Sequence, residues 1–310
     1  MAVLNFKPTI WSKVILAALK KNLVFGGDMV VNSDYEGEIS GPGSSVRITQ
    51  FGDPVISSYS PGGTISYQQL QDAGMELLID QSKSFSFVVD DVDRRQAAGD
   101  MQSYLEDRAA YKMADTADQF LASLYTGVAQ KNVVLNSSSA SSIIPGNEIT
   151  PAVYSSTHPA DFYQQVLLPL KVKLTEANVP MQGRYCIVPA WAEALLEQTQ
   201  AFIAITDMQG NASQVFQNGM IGRAAGFNIL VSNNSVNYDP TFSTGGAQGG
   251  YIVQAGHPMA LTYAEQITET EALRLQTTFG DGVRGLHVYG AKVVRPDAIA
   301  VAGVARPAGL

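Results

Sequence analysis

Several groups of side chains in this sequence have the types or spacing that chemistry uses. Gly280-Asp281-Gly282-Val283-Arg284-Gly285 matches G-x-G-x-x-G, the loop that holds a dinucleotide pyrophosphate against a helix N-terminus. That use needs the motif to leave a strand and open a helix. Here it follows the strand-like Leu273–Phe279 and leads into Leu286-His287-Val288-Tyr289, which reads as another strand. An Asp-Gly pair between two strands signals a hairpin turn, so a hairpin is the better reading. Asp90, Asp91 and Asp93 could hold a hard cation, but they lack EF-hand spacing. They also stand where a long helix begins, and acidic groups there cap free N–H groups and favour the dipole. His158 and His257 each precede a proline, and His287 lies inside a strand. No H-x-x-x-H or H-E-x-x-H pair exists, so a metal site has no support. There is no G-x-S-x-G elbow, and Cys186, between Tyr185 and Ile187, reads as a buried structural thiol. No residue is assigned a catalytic, cofactor-binding or metal-binding role, and the chain is read as a non-enzyme.

The elements around these residues follow from periodicity. Trp11, Val14, Ile15, Leu19 and Leu23 recur at helical steps and stop at Gly26-Gly27. From Tyr35 to Tyr67 apolar residues are sparse. Val46–Phe51 and Val55–Tyr59 read there as two strands separated by Gly52-Asp53-Pro54, a ribbon with little core of its own that must lean on something else. Lys83–Asp90 alternates, with Phe85, Phe87 and Val89 on one face. The strongest helix follows: Met101, Leu105, Ala109, Met113, Ala117, Phe120, Leu121, Leu124 and Val128 form its stripe. Met101 to Thr126 would span about 39 Å. Glu106–Arg108 and Asp115–Asp118 read as its wet face, and Gly127 as its stop.

After a Ser-rich linker at 137–147, Phe162, Val166, Leu170 and Leu174 mark a second helix, with Pro169 predicting a kink or restart. Tyr185–Val188 reads as a strand, and Pro189 as the first residue of a helix over 190–198. Short strands follow at 227–231, 251–254, 259–264, 272–279, 283–289 and 292–294, and the Asn/Ser/Gly-rich 232–250 reads as a mobile loop. No repeat of 20–50 residues is visible. The mixture predicts an α+β fold.

Composition bounds the function. The chain has 310 residues, 45% of them hydrophobic, so it can bury enough apolar surface to offset its ordering entropy. Length alone suggests about two domains. Only 15% of residues are charged, against about 25% in an ordinary soluble domain. A formal charge of −8 argues against gripping nucleic acid through a basic face. One cysteine excludes an internal disulfide framework. The longest apolar run, Ala298–Ala305, is far short of a membrane span, which takes about 18 residues. Val14–Leu19, bracketed by Lys13 and Lys20, is too short for a secretory core. The Asn-x-Ser sites at Asn136, Asn211 and Asn233 therefore read as chance, and folding is expected in a reducing, intracellular setting.

Read in order, these segments resemble the major capsid (coat) proteins of tailed bacteriophages. The resemblance is carried by Glu36-Gly37-Glu38-Ile39, Gly43-Ser44-Ser45-Val46-Arg47-Ile48 and the run from Leu78 through Ser84-Phe85-Ser86-Phe87 to Asp90-Asp91-Val92-Asp93. It continues through Glu176-Ala177-Asn178-Val179-Pro180, Gly183-Arg184, Val188-Pro189 and Gly219-Met220-Ile221-Gly222-Arg223. Gly226-Phe227, Ser232-Asn233 and Val288-Tyr289-Gly290-Ala291-Lys292-Val293-Val294-Arg295-Pro296 complete it.

The resemblance implies a tailed-phage major capsid fold: an N-terminal arm at 1–32 and an extended two-stranded loop at 33–70. A peripheral domain with a long spine helix would take 71–140 and 267–290. An axial domain would take 141–266 and 291–303, followed by a tail at 304–310. It implies self-assembly into hexamers and pentamers of an icosahedral shell, with scaffolding and portal proteins as partners. The shell would enclose double-stranded DNA without binding it specifically, with no membrane and no cofactor. Assembly is expected in the host bacterial cytoplasm and residence in the virion. Gly280–Gly285 becomes the tip of a peripheral hairpin, and Arg47, Asp281 and Arg284 become inter-subunit contacts by their loop-tip positions. Some relatives join an extended-loop lysine to a neighbour's asparagine; no lysine lies between Lys21 and Lys83 here, so a non-covalent shell is expected. An encapsulin-like compartment of the same fold, and a soluble monomeric enzyme or ligand-binding protein, are the competing readings. A shell subunit hides surface against neighbours, which accounts for the low charge and predicts that residues 35–70 are covered on assembly.

Overall fold

The computed structural model describes residues 24–33, 45–51, 72–90, 101–134, 152–153, 162–197, 222–244, 247–275 and 279–307, with positions 56, 58 and 61. The expected helix at 11–23, most of the strand Val55–Tyr59, the acidic residues 91–93 with their capping role, and the linker at 137–147 lie outside these residues.

Strand β1 (Ser45–Phe51) pairs antiparallel with β2 (Asp72–Leu78), Ser45 opposite Leu78 and Phe51 opposite Asp72. The ribbon expected from the sequence therefore forms, but its second strand is 72–78 and not Val55–Tyr59. Burial explains the choice. Ile48 and Leu77 meet Ala264 and Val294 in a small apolar cluster, whereas Ile56 is 94% exposed. This cluster is what the ribbon leans on.

β3 (Gln81–Asp90) alternates as expected, with Phe85 and Phe87 half-buried and Ser82, Ser84, Ser86 and Val88 exposed on the other face. α1 (Met101–Ser123) buries Met113, Ala114, Ala117, Leu121 and Ala122, and runs on as a 3-10 turn, Leu124–Gly127. Gly127 does not end this helix through a left-handed backbone. A Cβ there would stand 2.9 Å from Val293 Cγ2, so it is the close approach of the chain that favours glycine. Asp118 is also not on the wet face: it is only 3% exposed.

β4 (Val133–Val134) and β5 (Ala152–Val153) are short. The second helix begins with a π turn, Tyr163–Leu167, and continues as α2 (Leu168–Glu176). This wide turn is the predicted irregularity. Pro169 has no N–H to donate to the turn before it, and a π turn relieves both that loss and the ring clash. Phe162, Val166, Leu170 and Leu174 are all fully buried, as their spacing required.

β6 (Tyr185–Val188) and α3 (Ala190–Glu197) match expectation. β7 (Arg223–Ala224), β8 (Phe227–Val231), β9 (Asn237–Thr244) and β10 (Ala247–Gly256) follow. The segment 232–250, expected as a mobile loop, is largely a hairpin. β9 runs antiparallel to β10, with register shifts at Gly250. The expected short strands at 259–264 and 272–279 are one strand, β11 (Leu261–Arg274), and those at 283–289 and 292–294 are one strand, β12 (Gly280–Val293). β13 (Ile299–Arg306) takes up nearly all of the longest apolar run. It is buried on both faces through Ala305, which is why it shows no alternation.

The sheets divide the molecule. An eight-stranded mixed sheet has the order β4-β13-β10-β6-β8-β7, with β5 also on β13 and β9 on β10. A three-stranded antiparallel sheet has the order β11-β12-β3. The chain near the N-terminus joins the latter: Asn32 N–H donates to the Leu261 carbonyl, and the Asn32 carbonyl accepts from Tyr263 N–H. The main core spans α1, α2, α3 and the eight-stranded sheet. Leu170→Ala should cost about 2–5 kcal/mol in urea unfolding, whereas Val172→Ala, at a half-exposed position of the same helix, should shift it by less than about 0.5 kcal/mol.

Candidate functional site

β12 is the central strand of the three-stranded sheet and pairs along its length with β3, from Gly280 opposite Asp90 to Tyr289 opposite Gln81. That pairing corrects the expected turn. Asp281-Gly282 lies within the strand: Arg274 stands opposite Asp281, and Leu275 N–H donates to the Gly280 carbonyl at 3.1 Å, so the pairing of β11 with β12 extends to Gly280. A two-residue turn at Asp281-Gly282 would have removed the first rungs of the β3 ladder. The hairpin itself is as expected.

The sequence-selected residues fall in different places. Asp281 and Arg284 are in β12, three residues apart, and so on opposite faces of the sheet. Each is paired across to β11: Arg274 Nη1 with Asp281 Oδ1 at 3.1 Å, and Arg284 Nε with Glu271 Oε2 at 2.9 Å. Both pairs are substantially exposed, where such bridges contribute about 1 kcal/mol or less. Arg47 stands in β1 opposite Glu76, on the ribbon, and is not brought to the other two. Beside Arg284 lies an open groove of about 250 Å³, lined by Ser84, Phe85, Ser86, Glu271, Arg284, Gly285 and Leu286.

Two buried polar arrangements escaped the sequence reading. On the helix-facing side of the sheet, Tyr263 Oη donates to Glu265 Oε2 at 2.7 Å, and His287 Nε2 lies 3.5 Å from the same oxygen. Both the glutamate and histidine side chains are 1% exposed. Tyr289 stacks obliquely on His287, with ring centroids 4.9 Å apart, and receives the edge of Phe120 from α1. The alternation of β12 placed His287 in a strand, but only the β11 register shows which acid faces it. No group of three His, Cys, Asp or Glu residues suited to a metal is found among the described residues.

The second arrangement is Asp118. Its Oδ1 accepts from Val24 N–H at 3.0 Å and Phe25 N–H at 2.7 Å, and its Oδ2 from Asn234 Nδ2 at 2.9 Å. One carboxylate thus ties the N-terminal segment and the turn before β9 to α1. Burial pushes its carboxyl above the ordinary range, and hydrogen bonds from Asn234, Phe25, Val24 and Gly26 oppose that shift.

The remaining candidates are structural. Cys186 is fully buried in β6, and burial raises its thiol pKa far out of reach of thiolate chemistry. His257 accepts from Met259 N–H through Nδ1 at 3.3 Å, and burial lowers its pKa. Arg184, 3% exposed, donates to the carbonyls of Val179 and Pro180 and to Thr175, closing the turn after α2. That turn needs left-handed backbone at Asn178, with φ of 57°.

Comparison with known proteins gives one direction. The phage capsid protein family matches residues 78–302. Among solved structures, a protein of Mycobacterium phage Che8 is 33% identical over 90% of this chain and 90% of its own, with a TM-score of 0.65. The capsid structure of cyanophage P-SCSP1u is 19% identical over 86% of this chain and 85% of its own, with a TM-score of 0.63. A virus-like particle from Pyrococcus furiosus is 13% identical over 95% and 98%, with a TM-score of 0.54, and shares the fold. No curated protein sequence matches.

The Asp118 clamp makes a signed prediction. A carboxyl raised in the folded state contributes stability that is fully present below its ordinary pKa of 3.8 and is lost as pH rises through the native value. Urea midpoints of wild type and Asp118→Asn should therefore move in favour of the variant as pH rises from about 4 to about 7. A pH-independent difference would contradict the buried carboxylate.

Proposed function

The chain belongs to the phage capsid protein family and is a structural protein of the capsid shell, and from that premise we propose that it assembles into the hexamers and pentamers of an icosahedral head around double-stranded DNA. The observation that carries this reading is 33% identity to the Che8 protein across nine-tenths of both chains. In this reading 1–32 is the N-terminal arm and 33–70 the extended loop, whose ribbon takes in β2 at its base. The peripheral domain is 71–140 with 267–290, and α1 is its spine. The axial domain is 141–266 with 291–303, built on the eight-stranded sheet, and 304–310, whose first three residues finish β13 of that sheet, is the tail. Scaffolding and portal proteins are its partners, and assembly takes place in the host cytoplasm.

A formal charge of −8 suits a container that must not grip its contents. The Pyrococcus particle keeps open a second reading, a compartment that loads protein cargo, because it has the same fold. Particle contents separate the two. Nuclease-resistant DNA within purified particles supports the phage head, and a co-purifying enzyme supports the compartment.

Negative-stain electron microscopy of the purified protein should show closed shells; a stable 33.1 kDa monomer at assembly-permitting concentration would contradict the reading. Boiling shells in denaturant should release a single 33.1 kDa band, because residues 22–82 hold no lysine for an isopeptide bond. A ladder of higher masses would contradict the non-covalent shell. Charge reversal at Arg47, Asp281 or Arg284 should impair assembly while leaving the monomer folded by circular dichroism.

A further inference from the structure

Seven buried side-chain nitrogen and oxygen atoms among the described residues have no hydrogen-bond partner, and four of them belong to one small group on the three-stranded sheet. These four are Glu265 Oε1, His287 Nδ1 and Nε2, and Tyr289 Oη. Glu265 of β11 stands directly opposite Tyr289 of β12. His287 precedes Tyr289 by two residues, so all three side chains project from the same face. All three are buried, and Phe120 of α1 covers them through its edge contact with Tyr289.

Most buried polar atoms in proteins are paired, so four unpaired ones together need a cause. The group does not satisfy itself. His287 Nε2 lies 3.5 Å from Glu265 Oε2, but it makes no hydrogen bond there, and that oxygen already accepts from Tyr263 Oη at 2.7 Å. A polar contact of this length is the kind that water bridges. A water bonded at about 2.8 Å to each of two atoms joins any pair up to about 5.5 Å apart. We propose that an internal water is bound between these side chains, donating to Glu265 Oε1 and accepting from the His287 Nε2–H and the Tyr289 hydroxyl. The bridge requires the tautomer with its proton on Nε2. It does not depend on the shell reading.

The donor set fits water better than a metal ion. A structural zinc takes four protein ligands, whereas here one imidazole and one carboxylate form no metal-binding group with a third His, Cys, Asp or Glu among the described residues. The remaining oxygens nearby are the phenols of Tyr263 and Tyr289, whose rings are 6.3 Å apart. A phenol binds a metal tightly only after losing its proton, and burial raises the Tyr289 pKa and so opposes that loss. Buried water typically makes about three hydrogen bonds to groups that would otherwise be unpaired. Carboxylate, imidazole and phenol supply three. His287 Nδ1, on the other edge of the ring, is not served by the same molecule. Beneath α1, the side-chain tie between β11 and β12 therefore runs partly through solvent.

The direct test is a density map that resolves ordered water, taken from shells or from crystals of the dispersed chain, so that failure of the shell reading leaves the test in force. A peak about 2.6–3.2 Å from both Glu265 Oε1 and His287 Nε2 is expected. A peak about 2.0–2.2 Å from both would be a metal ion and would overturn the inference. The absence of any peak within hydrogen-bond reach of the two atoms would overturn it as well. Urea unfolding of Tyr289→Phe is a second measurement, and it leaves the ring packing in place. Loss of a hydroxyl bonded to water should lower the midpoint, whereas removal of an unpaired buried hydroxyl relieves a desolvation cost and raises it. A midpoint equal to that of wild type or above it would overturn the inference.

Discussion

The fold depends on one strand being covered on both faces and both edges. β12 pairs with β11 on one side and β3 on the other. At its inner end the two faces have different covers. On one, Tyr289 packs against Phe120 of α1. On the other, the chain leaving the ribbon crosses so closely that the Leu78 carbonyl and the Ile79 backbone fill the space a Cβ on Gly290 would need. Ribbon and α1 are thereby fixed relative to each other through a single strand, with Lys292 Nζ donating to the Glu76 carbonyl as a further tie. At the outer end the ribbon's cover stops, and there that face of the sheet exposes Val88 and Leu273, with Phe279 exposed just before β12, while Val283 on the other face stays buried.

The buried polar groups follow the same division. Glu265 and His287 lie under α1, where Tyr263 supplies the glutamate with one hydrogen bond, while Glu265 Oε1 and both ring nitrogens of His287 are buried with no hydrogen-bond partner in the chain. Asp118 fixes the arriving N-terminal segment to the helix by satisfying backbone N–H groups that would otherwise be orphaned. Exposed pairs such as Arg284–Glu271 contribute little to the fold. Their effect is to leave the groove electrically quiet.

Much of this was legible in the residues. Phe162, Val166, Leu170 and Leu174 specified a buried helix face, Pro169 its irregular turn, and Tyr185–Val188 its strand, because each signal is local. What failed was non-local. Strand partners depend on where apolar residues find cover, so Val55–Tyr59 yielded to Asp72–Leu78 once Leu77 could reach Ala264. Asp281-Gly282 has strong turn chemistry, yet the β3 ladder holds it in a strand. Asp118 looks like a surface acid until the chain at Val24 arrives over it. The fold class, by contrast, was recoverable, because many weak motifs occur in one order along the chain.

The low charge content also becomes specific to place. Fifteen per cent charged residues is sparse for a subunit that stays dispersed, and fitting for one whose surfaces meet copies of itself. Cryo-electron microscopy of particles assembled from the wild-type chain tests that claim most directly. The account predicts a closed shell in which the outer end of the β11-β12-β3 sheet and the neutral residues 35–70 are covered by neighbouring copies. A shell that leaves both surfaces open to solvent, or particles with no shell at all, would contradict it.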